Sequence, residues 1–70
     1  NNGKTKLALD ILRVNTMLYP TRASVYDSYG EALAISGDTA QAIVNYKKAL
    51  SLEPKKESSL KALAHLQAKK

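Results

Sequence analysis

Ser24, Asp27, Ser28 and His65 are the side chains of this 70-residue sequence that could supply a nucleophile, an acid and a base. A hydroxyl nucleophile needs a base within hydrogen-bond reach and a third group to orient that base. The surroundings of these serines argue against such an arrangement. Neither is flanked by the glycines of a nucleophile elbow, and both fall within a helical pattern, where serine hydroxyls bond back to the backbone. His65 is the only histidine. It lacks the thiolate or carboxylate companions of a metal site, and Lys61 and Lys69, one turn away on either side, would repel a cation. There is no glycine-rich phosphate loop and no paired-carboxylate motif. Catalysis, a metal centre and a bound cofactor are therefore not expected in this chain.

A second chemistry to weigh is phosphate binding. Lys47, Lys48, Lys55 and Lys56 form the densest basic cluster, and the net charge is +5, from 11 Lys+Arg against 6 Asp+Glu. Neutralising several phosphates would drive affinity for nucleic acid. Base stacking would fall to the four tyrosines, since Phe and Trp are absent, and no aromatic-rich RNA-binding signature accompanies the lysines. The cluster reads as the solvated outer face of the third helix and its exit loop. No apolar run reaches the roughly 18 residues of a membrane span, so no membrane partner is expected. The absence of cysteine excludes a disulfide framework and favours a reducing, cytoplasmic setting. The start, Asn1-Asn2-Gly3-Lys4, has neither an initiator Met nor a signal-peptide profile, which suggests an excised piece of a longer protein.

All these side chains are carried by helical patterns. Apolar residues at Leu7, Ala8, Ile11, Leu12, Val14 and Leu18 recur in steps of three and four, predicting a helix from about Lys4 to Leu18. Tyr19-Pro20 ends it, because proline disfavours a helical residue before it. Thr21 is placed to cap a second helix, from about Arg22 to Ser36, with Tyr26, Tyr29, Gly30 and Leu33 on its inner stripe. Gly37 supplies a left-handed terminus. Asp38, with Gln41 three residues on, reads as the capping box of a third helix, from about Thr39 to Leu52. Its inner face is expected to hold Ala42, Ile43, Tyr46, Ala49, Leu50 and Leu52. Glu53-Pro54 closes that helix. A fourth, from about Lys56 to Lys69, carries Leu60, Leu63, Ala64 and Leu66 and ends in Lys69-Lys70, cations that suit a helix C-terminus. Connections this short make the helices antiparallel neighbours.

The same residues also recur. Gly3 and Gly37, Thr5 and Thr39, Ala8 and Ala42, Leu18 and Leu52, and Pro20 and Pro54 each stand 34 residues apart, a period that marks stacked repeats. The stretch from Ala23 to Lys56 resembles a tetratricopeptide repeat on Ala23, Tyr26, Tyr29-Gly30, Leu33, Gly37-Asp38, Ala42, Tyr46, Ala49, Leu52 and Pro54. Residues 1–22 look like the second helix of a preceding repeat, with Asn15 where a small residue is usual. Residues 57–70 look like a C-terminal capping helix, with Gln67 in place of an apolar residue. The resemblance implies an all-α fold: antiparallel helical hairpins stacked as a short right-handed solenoid of about four helices. It also implies that the chain ends its parent protein. The phrasing from Val25 to Ala32, followed by Asn45 to Leu50, is also similar to the repeat tail of some bacterial multidomain hydrolases, which would place the chemistry in another domain.

In the tetratricopeptide family the first helices of successive repeats line a concave groove that binds a peptide or partner domain. Here the resemblance places Ser24, Asp27, Ser28, Glu31 and Ile35 on that face, joined by Ser58, Lys61 and His65 of the last helix. Asp27 and Glu31 stand where carboxylate-clamp members carry Lys and Asn, so a basic or hydroxyl-rich partner is expected rather than an anionic chain terminus. The first helix carries Leu7, Leu9, Ile11, Val14 and Met17 on more than one face. These are expected to form an exposed apolar docking edge, covered by self-association or by a parent domain.

Overall fold

The helix breaks are set by backbone chemistry that the side chains at each turn dictate. A computed structural model of the chain describes residues 2–68, which form four helices and, among the described residues, no strand. They are α1 (Asn2–Leu18), α2 (Ala23–Ser36), α3 (Thr39–Leu52) and α4 (Glu57–Ala68). The fold is all-α. Lys69 and Lys70, expected at the end of the fourth helix, lie outside the described residues, as does Asn1.

Between α2 and α3, Gly37 adopts φ +98, the left-handed conformation that L side chains rarely take. Its N–H donates to the Ala34 carbonyl and the Asp38 N–H to the Leu33 carbonyl, which together satisfy two orphan acceptors of α2 in a Schellman motif. Asp38 Oδ1 then accepts the Gln41 N–H at 3.1 Å and caps α3. At the start of α2 the expected cap is corrected. The cap position belongs to Arg22, with no side-chain hydrogen bond, because Thr21 lies one residue too early. Tyr26 secures this corner instead: its hydroxyl donates to the Pro20 carbonyl at 2.9 Å. Helix α1 ends at Leu18 and α3 at Leu52; α2 starts at Ala23 and α4 at Glu57. Both intervals are 34 residues, so the sequence period is also a period of helix boundaries.

The core lies chiefly between α2 and α3, the most extensively packed pair. Leu33 clusters with Ala42 and Tyr46, Gly30 lies on the Tyr46 ring, and the Lys48 ammonium sits 5.7 Å from the centre of the Tyr26 ring. Positions descending α2 thus meet positions ascending α3, and the two run antiparallel. Ala23 and Ala49 are also buried. Helix α1 packs on α2, and α4 packs on α3 with a lighter contact to α2.

Two sequence expectations change here. On α4, Leu60 and Ala64 are exposed, and the inward face is Ser59, Ala62, Leu63 and Leu66. The buried Ser59 hydroxyl, held by Asp27, turns that face inward. On α1, Leu9 packs against the Leu33–Ala42–Tyr46 cluster instead of joining the exposed edge. At roughly 100° per residue it points well away from Leu7 and Ile11. Leu7, Ile11, Val14 and Met17 are exposed as expected, and Leu18 with them.

A Cβ added at Gly30 would stand 3.2 Å from three ring carbons of Tyr46. Alanine is favoured over glycine in a helix by about 1 kcal/mol, so the two effects oppose. Gly30→Ala is expected to bring no gain in the native background but about 1 kcal/mol of stability in a Tyr46→Leu background. Urea denaturation followed by circular dichroism measures both. Equal effects in the two backgrounds would show that the ring does not constrain position 30.

Candidate functional site

Asp27 is the charged group most firmly held by its neighbours. Half-buried on α2, it accepts the Ser59 hydroxyl on Oδ1 at 2.6 Å and the Ser58 hydroxyl on Oδ2 at 3.2 Å. Ser58 and Ser59 stand in the first turn of α4, where unsatisfied N–H groups give the helix terminus positive character that a carboxylate complements. Hydrogen bonds to an ionised acceptor are among the stronger ones in proteins. Both oxygens of Asp27 are thus engaged within the chain, and their effect is to hold α4 beside α2.

Tyr46 reaches the same place from beneath. Its ring packs on Gly30, and its phenol is raised from 10.0 to about 12, first by burial and then by the negative charges of Asp27 and Glu31. Tyr46 therefore connects the core to the surface shared by α2 and α4.

The groove residues expected from the sequence differ in exposure, and apart from half-buried Asp27 they are open to solvent. Ser24, Ser28, Glu31 and Ile35 are exposed on α2 at helical steps of four, three and four, and Ile35 is 81 % exposed. Lys61 and His65 are exposed one turn apart on α4. Lys61 lies 3.9 Å from Glu57 on its own helix, an exposed pair of small energetic consequence. Among the predicted groove residues the contact that bridges α2 and α4 is Asp27 with Ser58. Beside it Ser59, fully buried and not singled out in the sequence, makes the shorter bond to the same carboxylate. The available signal was the serine pair in the first turn of α4, but an internal carboxylate partner 32 residues upstream leaves no local pattern. Buried Asn45 was missed for a similar reason: its amide donates to the Gln41 carbonyl of its own helix at 2.9 Å, so burial costs it no unpaired donor there.

The apolar edge on α1 is a separate feature. Leu7, Ile11, Val14 and Leu18 follow steps of four, three and four, with Met17 beside them at 67 % exposure. In the basic cluster, Lys48 lies over the Tyr26 ring. Among the described residues no group of three His, Cys, Asp or Glu is placed to hold a metal ion, and no helix is long and apolar enough to cross a membrane. No protein-family model matches the chain, nor does any curated protein or solved structure.

Two outcomes follow from the Asp27–Tyr46 region. Ser59→Ala deletes a buried donor to a charged acceptor and is expected to cost about 1.5–3 kcal/mol, with Ser58→Ala costing less because Ser58 is exposed. Equal, negligible losses in denaturant midpoint would rule out the clamp. The Tyr46 phenol is neutral in the fold up to about 12 but ionises near 10.0 when unfolded. Its contribution is therefore present below pH 10 and lost as pH rises from about 10 to about 12. The stability advantage of the native chain over Tyr46→Phe is expected to shrink across that window. A pH-independent difference in paired denaturation curves would contradict this.

Proposed function

We propose that this chain is a protein-interaction module of tetratricopeptide type, and that the face shared by α2 and α4 receives a segment of a partner protein. The observation carrying this reading is Ile35, 81 % exposed at the end of a stripe otherwise made of Ser24, Ser28 and Glu31. An apolar side chain at the end of a polar, acid-bearing row offers one hydrophobic anchor and one charge. Such a face selects an extended or helical segment by shape and a few polar contacts. With both Asp27 oxygens engaged by serines, Glu31 is the carboxylate left to meet a basic or hydroxyl-bearing group of the partner. The 34-residue recurrence of helix boundaries and the small-on-large packing of Gly30 against Tyr46 support the repeat assignment.

A second reading is favoured by a different observation, the exposed row Leu7, Ile11, Val14 and Leu18 on α1. In it the chain is a structural appendage that docks through α1, on a catalytic domain of the bacterial-hydrolase kind or on another copy. Nucleic-acid binding gains no comparable support.

The groove reading is tested by titrating isotope-labelled chain with decapeptides that combine one aliphatic residue with lysine or serine, followed by NMR shifts. Shifts are expected on α2 and α4, and Glu31→Lys combined with Ile35→Ser is expected to weaken binding at least about tenfold, or about 1.4 kcal/mol. Shifts confined to α1, or affinities indifferent to the double variant, would sink the groove.

A further inference from the structure

The internal 34-residue offset specifies what each open helix face is built to meet. In the α2–α3 pair, Gly30 carries the Tyr46 ring, Leu33 packs with Ala42, and the Tyr26 ring lies under Lys48. Shifted by 34 residues, Tyr26 and Gly30 of α2 become Leu60 and Ala64 of α4. In the other direction Ala42, Asn45, Tyr46 and Lys48 of α3 become Ala8, Ile11, Leu12 and Val14 of α1. Ala42, Asn45 and Tyr46 are buried in α3, yet Ala8 and Ile11 are exposed in α1, Ile11 by 55 %. Gly30 is buried in α2, yet Ala64 and Leu60 are exposed in α4, Leu60 by 45 %. Each end of the bundle therefore presents one half of the interface that the middle of the bundle closes.

We propose that these halves close on each other between copies: α4 of one chain receives α1 of the next, head to tail, reproducing the α2–α3 pairing. This rests on the reading of α1 as a docking edge and names its occupant. Two of the three transposed contacts keep the logic of the originals, while Leu33 on Ala42 becomes Gln67 on Ala8. Ala64 is small, as Gly30 is, and receives Leu12 where Gly30 receives Tyr46. Leu60 meets Val14, so an aromatic–lysine contact becomes an aliphatic one. Each terminal helix is already anchored to its inner neighbour, α1 on α2 as extensively as α4 on α3. A face on α4 cannot pair with itself in this register, so the contact is heterologous and each added copy leaves one free α1 and one free α4. Each copy carries a net charge of +5, so repulsion opposes assembly and added salt strengthens it.

Sedimentation equilibrium of the intact 70-residue chain, over rising concentration and salt, is the test. The weight-average mass is expected to climb beyond twice the 7.6 kDa monomer. Ile11→Lys and Leu60→Lys alter exposed positions, so both variants are expected to keep their helical circular dichroism, and each alone is expected to be monomeric. An equimolar mixture of the two retains one intact α4 face and one intact α1 face, and is expected to form a dimer that grows no further. A mixture that stays monomeric while the native chain assembles would overturn the proposal. So would a native dimer that Leu60→Lys leaves intact and Ile11→Lys breaks, since that is an α1–α1 contact. A native chain that stays monomeric throughout would also overturn it. In that case a hydrophobic dye separates the two ideas: fluorescence lost in Ile11→Lys keeps α1 as an open docking edge for another occupant, and fluorescence unchanged removes the edge as well.

Discussion

The close approach of α2 and α3 over Tyr46 is the constraint on which the rest of the molecule depends. Among the buried apolar residues described, only Leu33 and Tyr46 are larger than alanine; Ala23, Ala42 and Ala49 supply the remainder. A chain of this size buries a smaller fraction of its surface than a large domain does, and leans heavily on each large side chain it does bury. Gly30 lets the backbone of α2 lie on the aromatic ring, and Ala42 and Ala49 let α3 rise to meet it. The ring then extends toward the charges of Asp27 and Glu31 at the α2–α4 surface, where its phenol is held neutral. Asp27 in turn fixes Ser58 and Ser59, and with them the start of α4. Core packing and the geometry of the candidate binding face are thus one connected arrangement, because the residue that fills the core also sits beneath that face.

This arrangement explains the unequal use of the two carboxylates on α2. Asp27 and Glu31 are one turn apart and both act on Tyr46, but only Asp27 is placed against the first turn of α4. A carboxylate there satisfies serine hydroxyls and faces the positive end of a helix; one turn further along, Glu31 is exposed. Their chemical identity is nearly the same, and the position of the neighbouring helix assigns one to structure and leaves the other exposed.

What could be read from the sequence was what depends on neighbours along the chain. Gly37-Asp38, Pro20 and Pro54 act on their own backbone within a few residues, and the helix ends fall where their chemistry requires. The inner stripes of α2 and α3 were legible because small and large residues alternate at helical spacing. Thr21 misled because a capping side chain one residue from the cap position contributes nothing there, while Tyr26 secures the same corner from the far side of the turn. Leu60 and Ala64 misled because an apolar residue at helical spacing marks a face without saying whether anything covers it. Ser59 was illegible for the opposite reason: a polar residue buried at 0 % exposure owes its place to a partner on another helix. Of the predicted groove residues, Asp27 and Ser58 had a structural role that local pattern could not disclose.

The shallow core and the open edges have a common origin. When a bundle is generated by a 34-residue step, each helix face is buried by the element one step before or after it. Within this chain α2 and α3 have neighbours on both sides, and Ala23, Gly30, Ala42 and Ala49 are covered; α1 and α4 each have one side without a neighbour, and Ala8, Ile11, Leu60 and Ala64 are not. Repeat proteins in general gain stability mainly from the interfaces between neighbours. The exposed row that holds Ser24, Ser28, Glu31 and Ile35 lies on α2, apart from the exposed apolar positions of α1.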